Sequence, residues 1–279
     1  MEFEKTFDNA ALDYDASRPA YPEELYADIL RYKAVGSDSR ILEIGMGTGK
    51  AAAPFLAAGC IFTGIEPGGN LAALASERFG KFDNFSCLNL TLQDYDCPED
   101  SYDLIYAATA FHWIPEEYGY KRVFELLKSG GAFARFAYHA GPDRGRETLA
   151  EQIQALYAKY MPPKNRDRLP SETGSEEKVP CRETKPAGKH REFSEQDAEA
   201  LSVIPLKYGF VQTRYSLYHV TKDFTADEYM ALLRTYPDHM ALDEHCRKKL
   251  FEGIHSAILQ NGGTITVYYS MDLELARKP

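Results

Sequence analysis

Short apolar segments alternate with helix-forming segments through the first half of the chain. Each apolar segment predicts a buried strand, and each segment between two strands predicts a helix. The helix that contains Pro54 is possible only if this proline lies in its first turn, because proline has no backbone N–H. Strands that alternate with helices indicate a parallel sheet covered on both faces. The predicted strands are 40–44, 61–65, 85–90, 102–107 and 132–138, and the predicted helices are 50–58, 71–79 and 118–127.

The pattern changes after residue 138. A helix is predicted at 149–160, but residues 161–200 contain only eight residues of the AVILMFWYC set, along with prolines, glycines and mixed charge. Such a segment buries little apolar surface, so it is either an exposed linker or a cover over a site. An alternating strand at 210–220, a helix at 243–259 and an alternating strand at 264–275 complete the chain.

A further helix is predicted to begin at Thr225. Thr225 and Glu228 have the spacing of a capping box, in which each side chain accepts a hydrogen bond from the backbone N–H of the other residue. Phe224 and Tyr229 flank this pair as a hydrophobic staple. These four residues predict where the helix starts and how the chain enters it.

Composition narrows the class of protein. The chain has 279 residues, a formal net charge of −10 and 44% hydrophobic residues. This excludes wholesale disorder, and because no run of 18 apolar residues occurs we expect no membrane partner. An excess of acid argues against a nucleic-acid partner, which needs clustered Lys and Arg. Five cysteines without a CxxC pair, and acids near the N-terminus, predict a cytoplasmic protein with no metal site; the oligomeric state stays open.

A glycine-rich loop follows the first predicted strand, with the sequence Glu43-Ile44-Gly45-Met46-Gly47-Thr48-Gly49. Glycines at this bend let the backbone approach a ligand closely, and the next helix offers unpaired N–H groups. A Walker A loop is excluded, because Ile44 occupies the place of its first glycine and Ala51 that of its Ser or Thr. The dinucleotide pattern GxGxxG matches only in part, because Lys50 occupies the place of its third glycine.

A second acid favours an adenosine-containing ligand. Glu66 ends the second predicted strand, 17 residues after Gly49. A carboxylate at this place in a strand–helix–strand unit can accept both hydroxyls of an adenosine ribose. The alternative is that the glycines form only a structural turn.

With these residues the chain resembles the class I S-adenosylmethionine-dependent methyltransferases. Four blocks carry the resemblance, ILEIGMGTGK at 41–50, TGIEPGGNLAALA at 63–75, SYDLIYAATAFHWI at 101–114 and ELLKSGGAFA at 125–134. Within that family, the segments 14–22, 111–113 and 233–236 look like the branch that methylates small molecules and includes trans-aconitate methyltransferase-like proteins.

The resemblance implies a fold and a division of the chain. The implied fold is α/β, with a Rossmann-like, doubly wound, mostly parallel seven-stranded sheet, an antiparallel last strand and an inserted helical or flexible cover. The implied single domain comprises N-terminal cover helices at 1–39, a cofactor core at 40–138, an insertion or lid at 139–209, and an acceptor side at 210–279.

The resemblance also implies S-adenosylmethionine as cofactor and S-adenosylhomocysteine as product. Gly45, Gly47 and Gly49 would wrap the methionine part, and Glu43 would lie near its amino group, unless Glu43 pairs with a surface lysine. The other implied cofactor-binding residues are Tyr14, Arg18, Glu66, Leu71, Thr91, Leu92 and Ala107. Thr91 departs from the acid often found there, and Tyr14 and Arg18 could instead cap an N-terminal helix.

Candidates for the acceptor side follow the fourth and fifth strands or lie late in the chain. His112 and His139 are the candidate general bases, although His112 could equally be a structural residue beside Trp113. The candidate substrate-binding residues are Arg135, Tyr138, Arg234, Tyr236 and His239. An anionic acceptor would need one of the arginines.

We therefore expect a methyltransferase that acts on a small-molecule acceptor by in-line methyl transfer. The alternatives are an RNA or protein methyltransferase, disfavoured by the net charge of −10, and a non-catalytic protein that binds S-adenosylmethionine. A NAD-dependent dehydrogenase is more distant, because it needs the third glycine that Lys50 replaces.

Overall fold

The predicted strands form one sheet in the computed structural model, which describes residues 17–141, 143–161 and 193–279. The apolar runs therefore predicted the strands correctly. In chain order the strands are β1 (Arg40–Ile44), β2 (Ile61–Ile65), β3 (Phe85–Leu88), β4 (Tyr102–Ala108), β5 (Leu127–Gly141), β6 (Val211–Thr225) and β7 (Thr264–Arg277).

Helices connect these strands and pack on both faces of the sheet. In chain order they are α1 (Glu23–Tyr32), α2 (Ala53–Ala57), α3 (Gly69–Phe79), α4 (Glu116–Leu126), α5 (Glu147–Tyr160), α6 (Glu195–Ser202), α7 (Ala226–Arg234), α8 (Pro237–Met240) and α9 (Glu244–Gln260). Short 3-10 helices cover Phe111–Trp113 and Ile204–Tyr208. No helix of the described ranges is long and apolar enough to cross a membrane.

The strand order is β3-β2-β1-β4-β5-β7-β6. The first five strands pair in parallel, and β7 lies antiparallel between β5 and β6. The prediction of an α/β, Rossmann-like, mostly parallel seven-stranded sheet with an antiparallel last strand is confirmed. The order reverses between β1 and β4, and in open α/β sheets ligands bind beyond the carboxyl ends of the strands at such a point.

Alternating side chains place two apolar cores on opposite faces of this sheet. On one face, Leu25 and Ile29 of α1 pack with Phe55 and Tyr106. On the other, residues of α4 pack with Phe133 of β5. A third core joins α5, α7 and α9 to the far part of β6 and β7. Complete burial of such side chains stabilises the fold by about 1.5–3 kcal/mol each.

The start of α7 agrees with its predicted capping box. The Thr225 hydroxyl accepts from the Glu228 backbone N–H at 3.3 Å, and the Glu228 carboxylate accepts from the Thr225 N–H at 2.8 Å. The rings of Phe224 and Tyr229 lie 6.1 Å apart between centroids. The staple is therefore present as well.

Several elements differ from the predictions in their bounds, and three of them are informative. Helix α2 is shorter than 50–58, because it begins only where Pro54 can occupy its first turn. Strand β5 is longer than 132–138, because Leu127 pairs with Tyr102 of β4 and Gly141 pairs with Tyr268 of β7. Helix α6 begins inside the polar 161–200 segment, ends at Ser202 and was not predicted. The rest of that segment, from 162 to 192, lies outside the described residues.

Candidate functional site

The glycine loop after β1 has a backbone that requires glycine. Gly45, Gly47 and Gly49 have φ values of +67°, +57° and +78°, in the left-handed region. A Cβ atom on Gly45 would lie 2.4 Å from the Cβ of Ala110, so a larger residue would also displace the chain after β4. The loop thus brings bare backbone to the edge of the sheet where β1 and β4 end.

A cavity of about 880 Å³, which includes the open space at its mouth, lies beside this loop. It is bounded by the carboxyl ends of β1, β2 and β4 and by the segment after β3. Six predicted cofactor residues line it, namely Gly45, Gly47, Glu66, Leu71, Thr91 and Leu92. It is also lined by Ala108, Thr109, Ala110 and Trp113, which sequence reasoning did not assign to cofactor binding.

Backbone donors hold Glu66 in place at the end of β2. Its carboxylate accepts from the Gly47 N–H at 2.7 Å and from the Gly68 N–H at 2.8 Å, and the residue is buried. A carboxylate has about four acceptor positions. The two bonds therefore fix its orientation and leave capacity for the two hydroxyls of a ribose.

The rest of the large cavity is mostly apolar. Leu71 and Leu92 are both buried and line its wall, where they offer apolar surface to a flat ring. The Thr91 hydroxyl donates to Asp94 at 2.6 Å, so this side chain is bonded within its own turn. An acid is thus present three residues after the position where the family pattern often has one.

A smaller cavity of about 380 Å³ lies on the other side of the glycine loop. Arg18, Glu43, Lys50 and Tyr138 are among the residues that line it. Both cavities are lined by Gly45, Gly47 and Ala108, so they meet at the loop and at the end of β4. Gly49 and Ala107, also predicted as cofactor residues, are not among the lining residues of either cavity.

Glu43 is the buried acid of the smaller cavity. Its carboxyl accepts a hydrogen bond from the Tyr106 hydroxyl at 2.8 Å. The pKa of Glu43 is raised to about 8. Burial is the main cause, the negative charge of Glu66 adds to it, and the hydrogen bond from Tyr106 acts in the opposite direction. An ammonium group bound in this cavity would supply the positive charge that the carboxylate needs.

Several of the predicted residues lie around the guanidinium group of Arg18. Nη2 of Arg18 donates to the carbonyl oxygen of Thr235 at 3.0 Å. The guanidinium lies over the Tyr236 ring at 4.2 Å and over the Tyr138 ring at 5.5 Å. His239 lies beside Tyr236, with ring centroids 5.3 Å apart. We call Tyr138, Tyr236 and His239 the aromatic cluster.

Two of the predicted residues are not placed in this arrangement. Arg234 is exposed at the end of α7 and lines neither cavity. Tyr14 lies outside the described residues.

Arg135 and His139 lie on the opposite face of β5, where they meet two buried acids of β7. Nη2 of Arg135 lies 2.7 Å from Asp272, and its Nε lies 3.6 Å from Glu274. Nε2 of His139 lies 2.7 Å from the other oxygen of Asp272. We call these four residues the polar cluster. Sequence reasoning missed Asp272 and Glu274, and their only signal was the spacing of two acids on one face of an alternating strand.

His112 borders the polar cluster from the 3-10 helix after β4. Desolvation, with the positive charges of Arg135 and His139, lowers the pKa of His112 to about 4. Its ring centroid is 4.9 Å from that of Trp113, as the structural alternative expected. His112 is therefore neutral at neutral pH and is a weak base.

Thr109 has a strained backbone between the two cavities. Its φ is +55°, which is an outlier for a β-branched residue. Its hydroxyl lies 2.7 Å from the Tyr21 hydroxyl, and its N–H donates to Phe136 at 2.7 Å. Tyr21 lines the smaller cavity and Thr109 the larger. Backbone strain of this kind is concentrated at functional sites. No sequence pattern predicted the positive φ of Thr109.

Among the residues that the structure describes, no group of three or more His, Cys, Asp or Glu could hold a metal ion. Cys60, Cys87 and Cys97 are free thiols.

Comparison with known proteins places the chain among methyltransferases. A model of the methyltransferase domain matches residues 41–131. An uncharacterized methyltransferase of Geobacillus sp. is 32% identical over 152 residues, which are 51% of this chain and 70% of that protein. One of Bacillus mycoides is 30% identical over 182 residues, 58% of this chain and 84% of that protein.

Other relatives are matched over a smaller part of their length. An uncharacterized methyltransferase-like protein of Schizosaccharomyces pombe is 30% identical over 130 residues, which are 46% of this chain. The chain spans about half of that relative, 49% of its length.

Solved structures share the fold at low sequence identity. A Haemonchus contortus phosphoethanolamine N-methyltransferase, crystallised with S-adenosylhomocysteine, has a TM-score of 0.52 at 16% identity, covering 98% of this chain and 57% of that chain. A protein of Anaeromyxobacter dehalogenans classed as a candidate type II methyltransferase has a TM-score of 0.61 at 15% identity, covering 93% and 97%. The relatives of Geobacillus and Bacillus mycoides, together with the glycine loop and its sheet, show that the chain belongs to the class I S-adenosylmethionine-dependent methyltransferases.

Proposed function

We propose that the chain transfers a methyl group from S-adenosylmethionine to a small-molecule acceptor, as in the trans-aconitate methyltransferase-like branch. The observation that carries the proposal is the pair of cavities that meet at Gly45, Gly47 and Ala108. A ligand with an adenosine at one end and an amino acid at the other can occupy both cavities. Its central sulfur would then lie at their junction.

The residues present fit this cofactor. In the larger cavity Glu66 would accept the ribose hydroxyls, and Leu71 and Leu92 would contact the adenine. In the smaller cavity Glu43 would face the amino group of the cofactor. Arg18 and Lys50, which line the same cavity, are the cations available to the carboxylate of the cofactor. When bound, S-adenosylmethionine supplies a methyl group on a positively charged sulfur.

The protein's own contribution is mainly positioning. Alignment of two reacting groups can supply roughly 7–11 kcal/mol of the barrier reduction. The Tyr21–Thr109 bond fixes the chain after β4 at the junction of the cavities, which would hold the reacting end of the cofactor. The aromatic cluster and the polar cluster lie on the two faces of β5 beyond this junction and would receive the acceptor. We propose a small acceptor because a net charge of −10 does not suit an RNA backbone.

Cofactor binding can be measured through Trp113, the single tryptophan of the chain, which lines the larger cavity. We expect S-adenosylhomocysteine to change its fluorescence saturably. Glu66→Ala should weaken binding about 10- to 100-fold, since hydrogen bonds to a charged group contribute roughly 1.5–3 kcal/mol. Glu77→Ala, an exposed position on α3, is the control and should bind like the unaltered protein.

Methyl transfer itself is tested with radiolabelled S-adenosylmethionine and panels of metabolites, RNA and proteins. Transfer to a metabolite is expected. Transfer to RNA or protein alone would reject the small-molecule acceptor, and saturable binding with no transfer in any panel would favour the non-catalytic alternative. No change in Trp113 fluorescence and no binding by calorimetry would contradict the cofactor assignment.

A further inference from the structure

The polar cluster contains more buried acid than a structural role explains. Asp272 and Glu274 are each about 1% exposed and project from the same face of β7. A single guanidinium, that of Arg135, lies against both carboxyl groups. Burying charged groups costs folding free energy even when they are paired. Replacing such groups by apolar residues of similar size often leaves the stability of the fold unchanged or increases it. Their arrangement therefore points to chemistry at this face of β5 and β7.

Asp272 binds two side chains at once, one with each oxygen. Oδ2 faces Arg135 and Oδ1 faces Nε2 of His139, both at 2.7 Å. A carboxylate held by an arginine accepts hydrogen bonds, so Nε2 of His139 carries the hydrogen and Nδ1 keeps the lone pair. In the described part of the chain no hydrogen bond to Nδ1 is found.

The ring plane of His139 is fixed as well. Phe193 stacks on it with a centroid distance of 3.8 Å and an interplanar angle of 3°. The side chain of His139 nevertheless remains 36% exposed, so a small molecule and solvent can reach it. An oriented imidazole with one free nitrogen is the arrangement of a general base and its orienting acid.

The position of this pair agrees with the proposed site of methyl transfer. Phe136 of β5 pairs with Ala108, the last residue of β4. His139 lies three residues further along β5, beyond the carboxyl end of β4. The chain that follows β4 forms a wall of the larger cavity and also carries His112, whose pKa the charges of Arg135 and His139 lower.

The charges around His139 disfavour an anionic acceptor. Arg135 is already neutralised by Asp272 and Glu274. Desolvation raises the pKa of Glu274 to about 7, although Arg135 and the Tyr120 hydroxyl, at 2.9 Å, lower it. The other titratable groups nearby are His112, which is neutral, Glu116 of α4, whose negative charge also raises the pKa of Glu274, and His219 of β6, which lies 3.3 Å from the Ser270 hydroxyl. No unneutralised cation therefore faces His139 from these described elements.

We infer that Asp272 is a positioning residue that holds His139 as the general base for an acceptor whose attacking atom carries a proton, a hydroxyl or an amine. The inference rests on the proposed function. Nδ1 takes the proton from the O–H or N–H, the freed electron pair forms the bond to the methyl carbon, and the S–CH₃ bonding pair stays on sulfur. His139 then releases the proton to solvent. A carboxylate acceptor, such as trans-aconitate, would need no such base, so the inferred acceptor differs from the one that gives the related branch its name.

The orientation of His139 can be tested without an acceptor. In full-length protein labelled with ¹⁵N-histidine, the His139 resonances are assigned by their loss in His139→Gln. We expect the Nε2–H tautomer, and in Asp272→Asn a loss of that tautomer bias. An Nδ1–H tautomer, or the same tautomer bias in Asp272→Asn, would overturn the inference. Asp227→Asn is the matched control, because it removes the acid from the exposed His255–Asp227 pair at 3.0 Å.

Turnover supplies the second test, on matched acceptors that differ only in a hydroxyl, amine or carboxylate. We expect the hydroxyl or amine to be methylated, with kcat rising with pH to a plateau. Asp272→Asn and His139→Gln should each lower kcat by about 10²–10⁴-fold, while Asp227→Asn should not. Methylation of carboxylates alone, or an unchanged kcat in His139→Gln, would overturn the inference.

Two readouts separate this inference from the function on which it rests. The affinity for S-adenosylhomocysteine, read from Trp113, should be the same in all three variants. If it is, while the His139 predictions fail, the cofactor assignment stands and only the base is wrong. If Asp272→Asn does not fold, His139→Gln carries the test, because His139 is partly exposed.

Discussion

Glu43 is a carboxyl group whose surroundings destabilise its charge in the absence of a ligand. It is buried, Glu66 lies near enough to repel it, and in the described structure Tyr106 is its hydrogen-bond donor. Tyr26 and Cys87 also lie close enough to sense its charge. Arg18 and Lys50 line the same cavity. With a pKa of about 8, Glu43 is mostly protonated at pH 7.

We therefore predict that cofactor binding releases a proton from Glu43. An ammonium group at the carboxylate lowers its pKa, so binding of S-adenosylhomocysteine at pH 7 should release close to one proton. Calorimetry in buffers of different ionisation enthalpy measures this number. Glu43→Gln should release none and bind more weakly. 5′-Methylthioadenosine, which has no amino acid end, is the control ligand, and an equal release with it would contradict the prediction.

The conformation of the glycine loop depends on the absence of a Cβ atom at Gly45. We predict that Gly45→Ala destabilises the fold by more than about 1 kcal/mol, because alanine is strained at positive φ and its Cβ would lie 2.4 Å from Ala110. It should also weaken S-adenosylhomocysteine binding by roughly tenfold or more. Urea unfolding and Trp113 titration measure the two effects.

Gly36 offers the matched substitution. A Cβ there would have nothing within 4 Å and its φ is not in the left-handed region. Gly36→Ala should leave cofactor affinity unchanged. If Gly45→Ala behaved in the same way, the close approach of the loop to Ala110 would have no functional role.

The elements were predictable to the extent that a local pattern determines them. Apolar runs and the Thr225 capping box are local, and the strands and the start of α7 followed from them. The ends of β5 depend instead on pairing with β4 and β7, so Lys128 to Gly131 do not look like a strand in the sequence. Helix α6 carries few apolar residues and was missed for that reason.

The site was predictable only in part, for a related reason. Glycines and acids at strand ends have a known spacing, so the residues that line the cavities on the β1 and β2 side could be named. Asp272 and Glu274 are acids on an alternating strand, which usually indicates a solvent-facing surface. Only the packing of β7 between β5 and β6 buries them. Thr109 likewise has an ordinary residue type at an unusual backbone conformation.

At the scale of the whole molecule, buried acids make stability depend on pH. Glu43 and Glu274 have folded-state pKa values of about 8 and 7, both above their ordinary value of 4.5. Between the ordinary pKa of 4.5 and these raised values, the folded state binds more protons than the unfolded state. The free energy of unfolding therefore falls as pH rises through this range. This contribution is fully present below about pH 4.5 and is lost by about pH 8.

We predict that the free energy of unfolding, measured by urea titration without cofactor, decreases from pH 5 to pH 8. Glu43→Gln should flatten this decrease, since glutamine keeps the shape and cannot ionise. Glu77→Gln, on the exposed face of α3, should not alter it. Saturating S-adenosylhomocysteine should reduce the pH dependence, because the bound ammonium stabilises the ionised form of Glu43. A slope in Glu43→Gln equal to that of the unaltered protein would contradict this account.

Strand β5 has one further consequence, for how the acceptor preference of such a protein could change. Its alternate residues belong to separate environments: Arg135 and His139 face the polar cluster, whereas Tyr138 faces Arg18 and the aromatic cluster. Substitutions at Arg135 and His139 can alter the polar cluster, and with it the inferred proton transfer, without touching the aromatic cluster, and the reverse also holds. Deletion of one residue upstream of Arg135 would exchange the two sets. A library that varies only one set at a time would therefore explore acid–base chemistry and acceptor shape as independent variables on a single strand.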